Sequence, residues 1–149
     1  MITLVNVADS DWLMNCIQQY YTSMHQFGPD LYPSDSSQPV IKFYQNYLSG
    51  KCPDVLVFKF DYSGFITCRY DDNRNNFWIV DLFVIPELQG HGIGTQLVQY
   101  AILIRDFYFH NTPIMLNCLA NNRRAKDFYL SNGFNLIKQG EQRCTFMLE

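Results

Sequence analysis

Residues 80–95 constrain this chain more than any other stretch. An apolar, β-rich run, Val80-Asp81-Leu82-Phe83-Val84-Ile85, stops at Pro86. It then passes through Gln89-Gly90-His91-Gly92-Ile93-Gly94-Thr95 and opens a long apolar segment that runs to about residue 109. The sequence therefore predicts a strand feeding a helix through a turn with glycine at every second position. Glycine has no Cβ to hold a ligand away from the backbone, and it tolerates positive φ. The first turn of a helix also leaves N–H groups without intrahelical acceptors, at the positive end of the dipole. A pyrophosphate suits such a place. Two nucleotide-binding patterns do not fit. A P-loop needs a Lys after its glycines, and a dinucleotide fingerprint needs G-x-G-x-x-G with an acid about twenty residues on. The other reading is a tight connection without a ligand, for which one or two glycines suffice.

On either side of this junction the spacing of apolar residues outlines the rest of the chain. Residues 2–7 read as a short strand. Asp9-Ser10-Asp11 carry oxygens able to cap a helix extending to roughly Gln26, with Leu13, Cys16, Ile17, Tyr20 and Tyr21 among its apolar positions. Residues 27–39 hold four Gly and Pro residues and the cluster Ser34-Asp35-Ser36-Ser37, which is loop chemistry. A second helix is expected over residues 40–48. Segments 55–61, 64–71 and 77–85 are β-rich and separated by turn residues, as in an antiparallel meander. After the long helix come a strand at 114–120, a helix at 122–132 and strands at 134–138 and 143–148. No repeat or linker divides the 149 residues, so one domain over 1–149 is expected, of mixed α/β architecture with helices packed on a sheet.

Composition narrows the function. Eleven basic and fourteen acidic residues give a formal charge of -3 with no basic run, which argues against a nucleic-acid partner. No stretch reaches the ~18 apolar residues of a membrane span, and residues 1–11 lack the pattern of a signal peptide, so neither membrane nor export is expected. Five scattered cysteines without a C-x-x-C pair read as free thiols in a reducing compartment, the cytoplasm. Cys68 and Cys118 lie in apolar runs and read as small hydrophobes. Three separated histidines offer no ligand spacing, and no metal is expected.

Gln89-Gly90-His91-Gly92-Ile93-Gly94 matches the (Q/R)-x-x-G-x-(G/A) signature of GNAT-type N-acetyltransferases. Asn122-Arg123-Arg124-Ala125, Phe128-Tyr129 and Gly133-Phe134 follow that family's second block, N-x-x-A-x-x-x-Y-x-x-x-G-F. The chain resembles that family along nearly its whole length, although its first fifty residues carry no specific motif. The resemblance implies a mostly antiparallel sheet of six to seven strands flanked by about four helices, with acetyl-CoA as co-substrate. It implies that the backbone of Gln89, Gly90, His91, Gly92, Ile93, Gly94 and Thr95 holds the CoA pyrophosphate. Main-chain groups of Leu82, Phe83 and Val84 would pair with the pantetheine arm like an added strand, and Asn122 would touch the same arm. Tyr129 would protonate the departing thiolate.

The chemistry is consistent with these roles. An attacking amine must lose a proton, the oxyanion needs a donor such as a strand N–H, and the thiolate leaves more readily when protonated. A phenol near pKa ~10 is not far from a thiol near ~8.5. Ala125, Phe128 and Tyr129 share one helix face, which turns Tyr129 inward; a core aromatic is its other reading. Asp81 is the first candidate for the base. Diamine acetyltransferases carry an acidic pair on this strand, whereas Val80 takes the first place here, which leaves Asp81 as base through water, substrate anchor or structural acid. His91 is expected to face solvent, and His25 and His110 sit near helix ends. The resemblance implies that the segment after the first helix walls the acceptor site, which offers Tyr32, Asp30 and Asp35 as its lining, with a solvated loop as the other reading; the acidic balance favours a basic small-molecule or peptide amine. A catalytically silent CoA-binding module of the same fold is the rival reading. The last two strands are candidates for pairing across a homodimer.

Overall fold

Alternating apolar residues become seven strands of one sheet, and the helical repeats become four helices on its two faces. The computed structural model describes residues 1–33 and 37–149. Its elements are β1 (Ile2–Leu4), α1 (Ser10–His25), α2 (Gln38–Leu48), β2 (Val55–Phe60), β3 (Gly64–Asp71), β4 (Asn76–Val84), α3 (Ile93–Tyr108), β5 (Ile114–Leu119), α4 (Arg123–Ser131), β6 (Asn135–Gln139) and β7 (Arg143–Leu148). The strand order is β1-β2-β3-β4-β5-β7-β6. The expected meander is present as antiparallel β2, β3 and β4. Among the described residues the single parallel pair, β4 with β5, is bridged by α3, as a parallel connection requires.

Two apolar clusters hold the helices to the sheet. Phe77, Leu97, Val98, Ile114, Phe134 and Phe146 belong to the one under α3 and α4. Leu13, Ile17, Tyr44, Val57 and Phe65 belong to the one under α1 and α2. Each large side chain so buried contributes about 1.5–3 kcal/mol against an exposed state.

Three expectations change. Pro39 begins a helix instead of ending a loop, because proline in a first turn gives up an N–H that has no acceptor there. Asp9 stands at the start of α1 but does not cap it: its carboxylate, 3% exposed, takes hydrogen bonds from Lys59 Nζ (2.5 Å), the Tyr62 hydroxyl (3.0 Å) and the Asn6 N–H (3.1 Å). Burial beside a cation outweighs capping. β7 has neighbours on both edges, β5 and β6, so of the two terminal strands only β6 presents a free edge.

One irregularity positions the site. Thr67 faces Asp81 and Cys68 faces Ile79, which leaves Val80 as an extra, bulged residue of β4. β4 and β5 pair only at Phe77–Ile114, Trp78–Met115 and Ile79–Leu116. Beyond that point they part, while β5 stays paired with β7 as far as Leu119. The sheet therefore carries a V-shaped gap, and the second half of β4 has an open edge.

Candidate active site

The turn after β4 is folded by its glycines. Gly90 and Gly92 have φ of 82° and 84°, in the left-handed region, and an added Cβ would meet nothing within 4 Å, so the requirement there is backbone conformation alone. At Gly94 a Cβ would stand 3.4 Å from the Phe128 ring of α4, an ordinary van der Waals contact, so neither space nor conformation demands glycine at that position. The Gln96 N–H reaches Gly92 O (3.0 Å) as the first bond of α3, so the amides of Ile93, Gly94 and Thr95 are those that helix geometry leaves over. The side chains beside them serve the turn itself. Gln89 Nε2 donates to Val84 O (3.0 Å), and His91 Nδ1 lies 3.2 Å and 3.1 Å from the carbonyls of Leu88 and Gln89. His91 thus acts locally, far from any general-base geometry.

These amides open onto a cleft of about 640 Å³ that runs along the open edge of β4 to Tyr129. Ile85 N–H donates to Ser63 O on the β3 side (2.9 Å), so alternation turns the peptide groups of Val84 and Leu82 toward the open edge. Phe83, the third residue implied there, turns its peptide groups to β3, and its ring is buried on the α1 side. Asn122 caps α4 through Oδ1, which accepts from the Ala125 N–H (3.1 Å), and it lines the cleft. Arg124, which the sequence reading passed over, lines the same cleft as a cation.

A second cavity, of about 360 Å³, lies across the gap and is lined by Tyr20 and Tyr32 from the α1 side and by Asn117, Leu119 and Arg143 from β5 and β7. Tyr32 is tied in place by His25 Nδ1 at 2.7 Å from its carbonyl and by an edge contact with Tyr21. His25 therefore braces this wall and is not merely solvated. Asp30 is exposed and lies outside the cavity wall, and Asp35 lies outside the described residues.

Tyr129 lines both cavities. Edge contacts with Phe128 and Phe134 fix its ring, and its hydroxyl has no hydrogen-bond partner among the described residues. Burial, with Cys118 and Asp81 adding to it, pushes this phenol far above its usual pKa, so it holds its proton. Asp81 sits behind the second cavity. The Tyr44 hydroxyl hydrogen bonds its carboxylate and is also 2.7 Å from Thr67 Oγ1, and the Tyr20 phenol lies close enough to feel the same carboxylate. Burial raises the Asp81 carboxyl above the ordinary range, and the two tyrosines offset only part of that. Cys118 borders the pocket, but burial pushes its thiol up to about 11 and keeps it un-ionised. Among the described residues no group of three His, Cys, Asp or Glu could hold a metal ion, and no helix is long and apolar enough to cross a membrane.

Fold and site together define a class: an α/β protein whose split sheet joins an anion cradle on one face to a small pocket on the other. The chain belongs to the Acetyltransferase (GNAT) family, which it matches over residues 17–134. It is 30% identical to N-alpha-acetyltransferase 50 of Danio rerio over 102 residues, 65% of this chain and 60% of that protein. The match therefore spans less than two thirds of the relative's length. The fold is similar to that of the PaiA N-acetyltransferase of Thermoplasma acidophilum in complex with coenzyme A: TM-score 0.76, 17% identity, 99% of this chain and 96% of that one. It is equally close to an acetyltransferase of Thermus thermophilus, with TM-score 0.77, 15% identity and the same coverage.

Proposed function

We propose that this protein transfers the acetyl group of acetyl-CoA to a primary amine of a small molecule or peptide. The observation that carries this reading is the meeting of two cavities at Tyr129, through the gap between β4 and β5. The amides of Gly90 to Thr95, with Arg124 beside them, suit the phosphates of CoA, and the outward peptide groups of Leu82 and Val84 suit an extended amide-bearing arm. Acetyl-CoA supplies the activated thioester carbonyl. Tyr129 gives its proton to the sulfur as the carbon–sulfur bond breaks. The amine proton passes to Tyr20 while Tyr20 passes its own to Asp81, which keeps both groups in register with the attack. Asp81 acts through Tyr20, because the tyrosine lies in the cavity wall and the carboxylate behind it. Of the last two strands, β6 keeps an open edge that suits self-association. Five free thiols suit a cytoplasmic setting.

The test is a screen of amines with acetyl-CoA that follows free thiol. Amine-dependent release is the expected result. CoA binding without release from any amine contradicts turnover and favours a silent CoA-binding module.

A further inference from the structure

The two cavities each hold one arginine, and their settings differ. Arg124 lines the cofactor cleft only, and Arg143 lines the acceptor pocket only. Among the described lining residues of the acceptor pocket, Arg143 alone carries a formal charge, since Asp81 lies behind Tyr20 and Asp30 lies outside. Neither arginine has an ion pair among the described residues, so each guanidinium is available to a ligand of its own cavity.

Its neighbourhood is arranged for an anion. Leu119 pairs with Arg143 and Asn117 with Thr145 across β5 and β7, so these four side chains share the pocket face of the sheet. Thr145 Oγ1 donates to Asn117 Oδ1 at 2.7 Å. That bond occupies the acceptor end of the carboxamide and leaves its NH₂ end free. Among the described residues the wall thus offers two kinds of N–H donor, a guanidinium and an oriented amide, and no acid. Burial and Asp81 push the Tyr32 phenol up while Arg143 opposes them, which marks the guanidinium as a neighbour of the Tyr32 ring.

We propose that the acceptor is an amine that also carries a carboxylate, with its amino end at Tyr20 and its carboxylate held by Arg143 and Asn117. This rests on the acetyl-transfer reading and replaces the basic acceptor expected from net charge. A polyamine would set a second positive charge against Arg143, whereas a carboxylate gains charge-assisted, bidentate hydrogen bonds. The pocket volume, about 360 Å³, suits an amino acid or a dipeptide end. The apolar part of such a molecule would lie against Met24, Val80 and Leu119. The carboxylate belongs either to a free amino acid or to an acidic side chain beside a peptide N-terminus.

The experiment is calorimetry on the CoA-bound protein with L-leucine against 3-methylbutylamine, and with Leu-Asp-amide against Leu-Asn-amide. The carboxylate member of at least one pair is expected to bind about tenfold or more tightly. Preference within the first pair identifies a free amino acid, and preference within the second a peptide. Arg143→Gln should erase the difference and Arg143→Lys should restore part of it; Arg143 is exposed, so neither change threatens the fold. Equal binding within both pairs, or a preference that survives Arg143→Gln, overturns the proposal. Binding is read whether or not acetyl transfer occurs, so failure here is distinct from a failure of the thiol-release screen.

Discussion

The cofactor cleft and the acceptor pocket meet at Tyr129 but are made of different material. The cleft is built from peptide groups: a helix N-terminus, two glycines in the left-handed region, and one open strand edge. The pocket is built from side chains that five elements, α1, β4, β5, α4 and β7, and the segment at Tyr32 bring together. A backbone-built site holds a constant ligand and tolerates exchange of most side chains around it. A side-chain-built site is specific, and any one substitution alters it.

This contrast makes substitutions separable. The largest effect is expected from Tyr129→Phe, which removes the proposed proton donor: kcat should fall by about 10²-fold or more, with CoA affinity in calorimetry unchanged. A parallel loss of CoA affinity would mean that Tyr129 supports the cleft and not the chemistry.

Asp81→Asn is expected to reduce kcat/KM by about 10²-fold, again with CoA binding intact. Its stability effect has the opposite sign. The native carboxyl has a raised pKa, so the stability tied to its proton is full below the unfolded value near 3.8 and is lost as pH rises through the native value. The Asn variant should therefore be at least as stable as the parent at pH 7, with a flatter dependence of Tm on pH above 4. A drop in Tm at pH 7 would make Asp81 a structural acid.

Gly92→Ala probes the cleft. No protein atom opposes the new methyl group, so only the positive φ resists it, at about 1–2 kcal/mol, and CoA affinity should fall by roughly tenfold while kcat at saturating CoA changes little. Unchanged affinity would remove the backbone from the account. The smallest effect belongs to Tyr44→Phe. The Tyr44 hydroxyl favours the charged form of Asp81, so its loss should move the acid limb of kcat/KM to higher pH. An unmoved limb would disconnect Asp81 from the amine.

The same contrast explains what was legible in the sequence. Strand and helix boundaries followed the apolar period to within about two residues at most element ends, and the glycine-spaced turn announced the cleft because backbone sites leave a local signature. Pro39 misled because proline punctuates loops and helix starts alike. Asp9 misled because capping is local, whereas Lys59, its partner, lies fifty residues on. The pocket residues Tyr20, Asn117 and Arg143, and Tyr44 beside Asp81, carried no local signal. They become neighbours only once Val80 bulges and the strands part.

Amide-resolved NMR of the protein with and without CoA tests the central claim directly. Large shifts of the Gly92, Ile93, Gly94 and Thr95 amide signals are expected with CoA, and small ones with pantetheine, which lacks the pyrophosphate. CoA binding that leaves those four signals in place would contradict a cofactor held by the opening turn of α3.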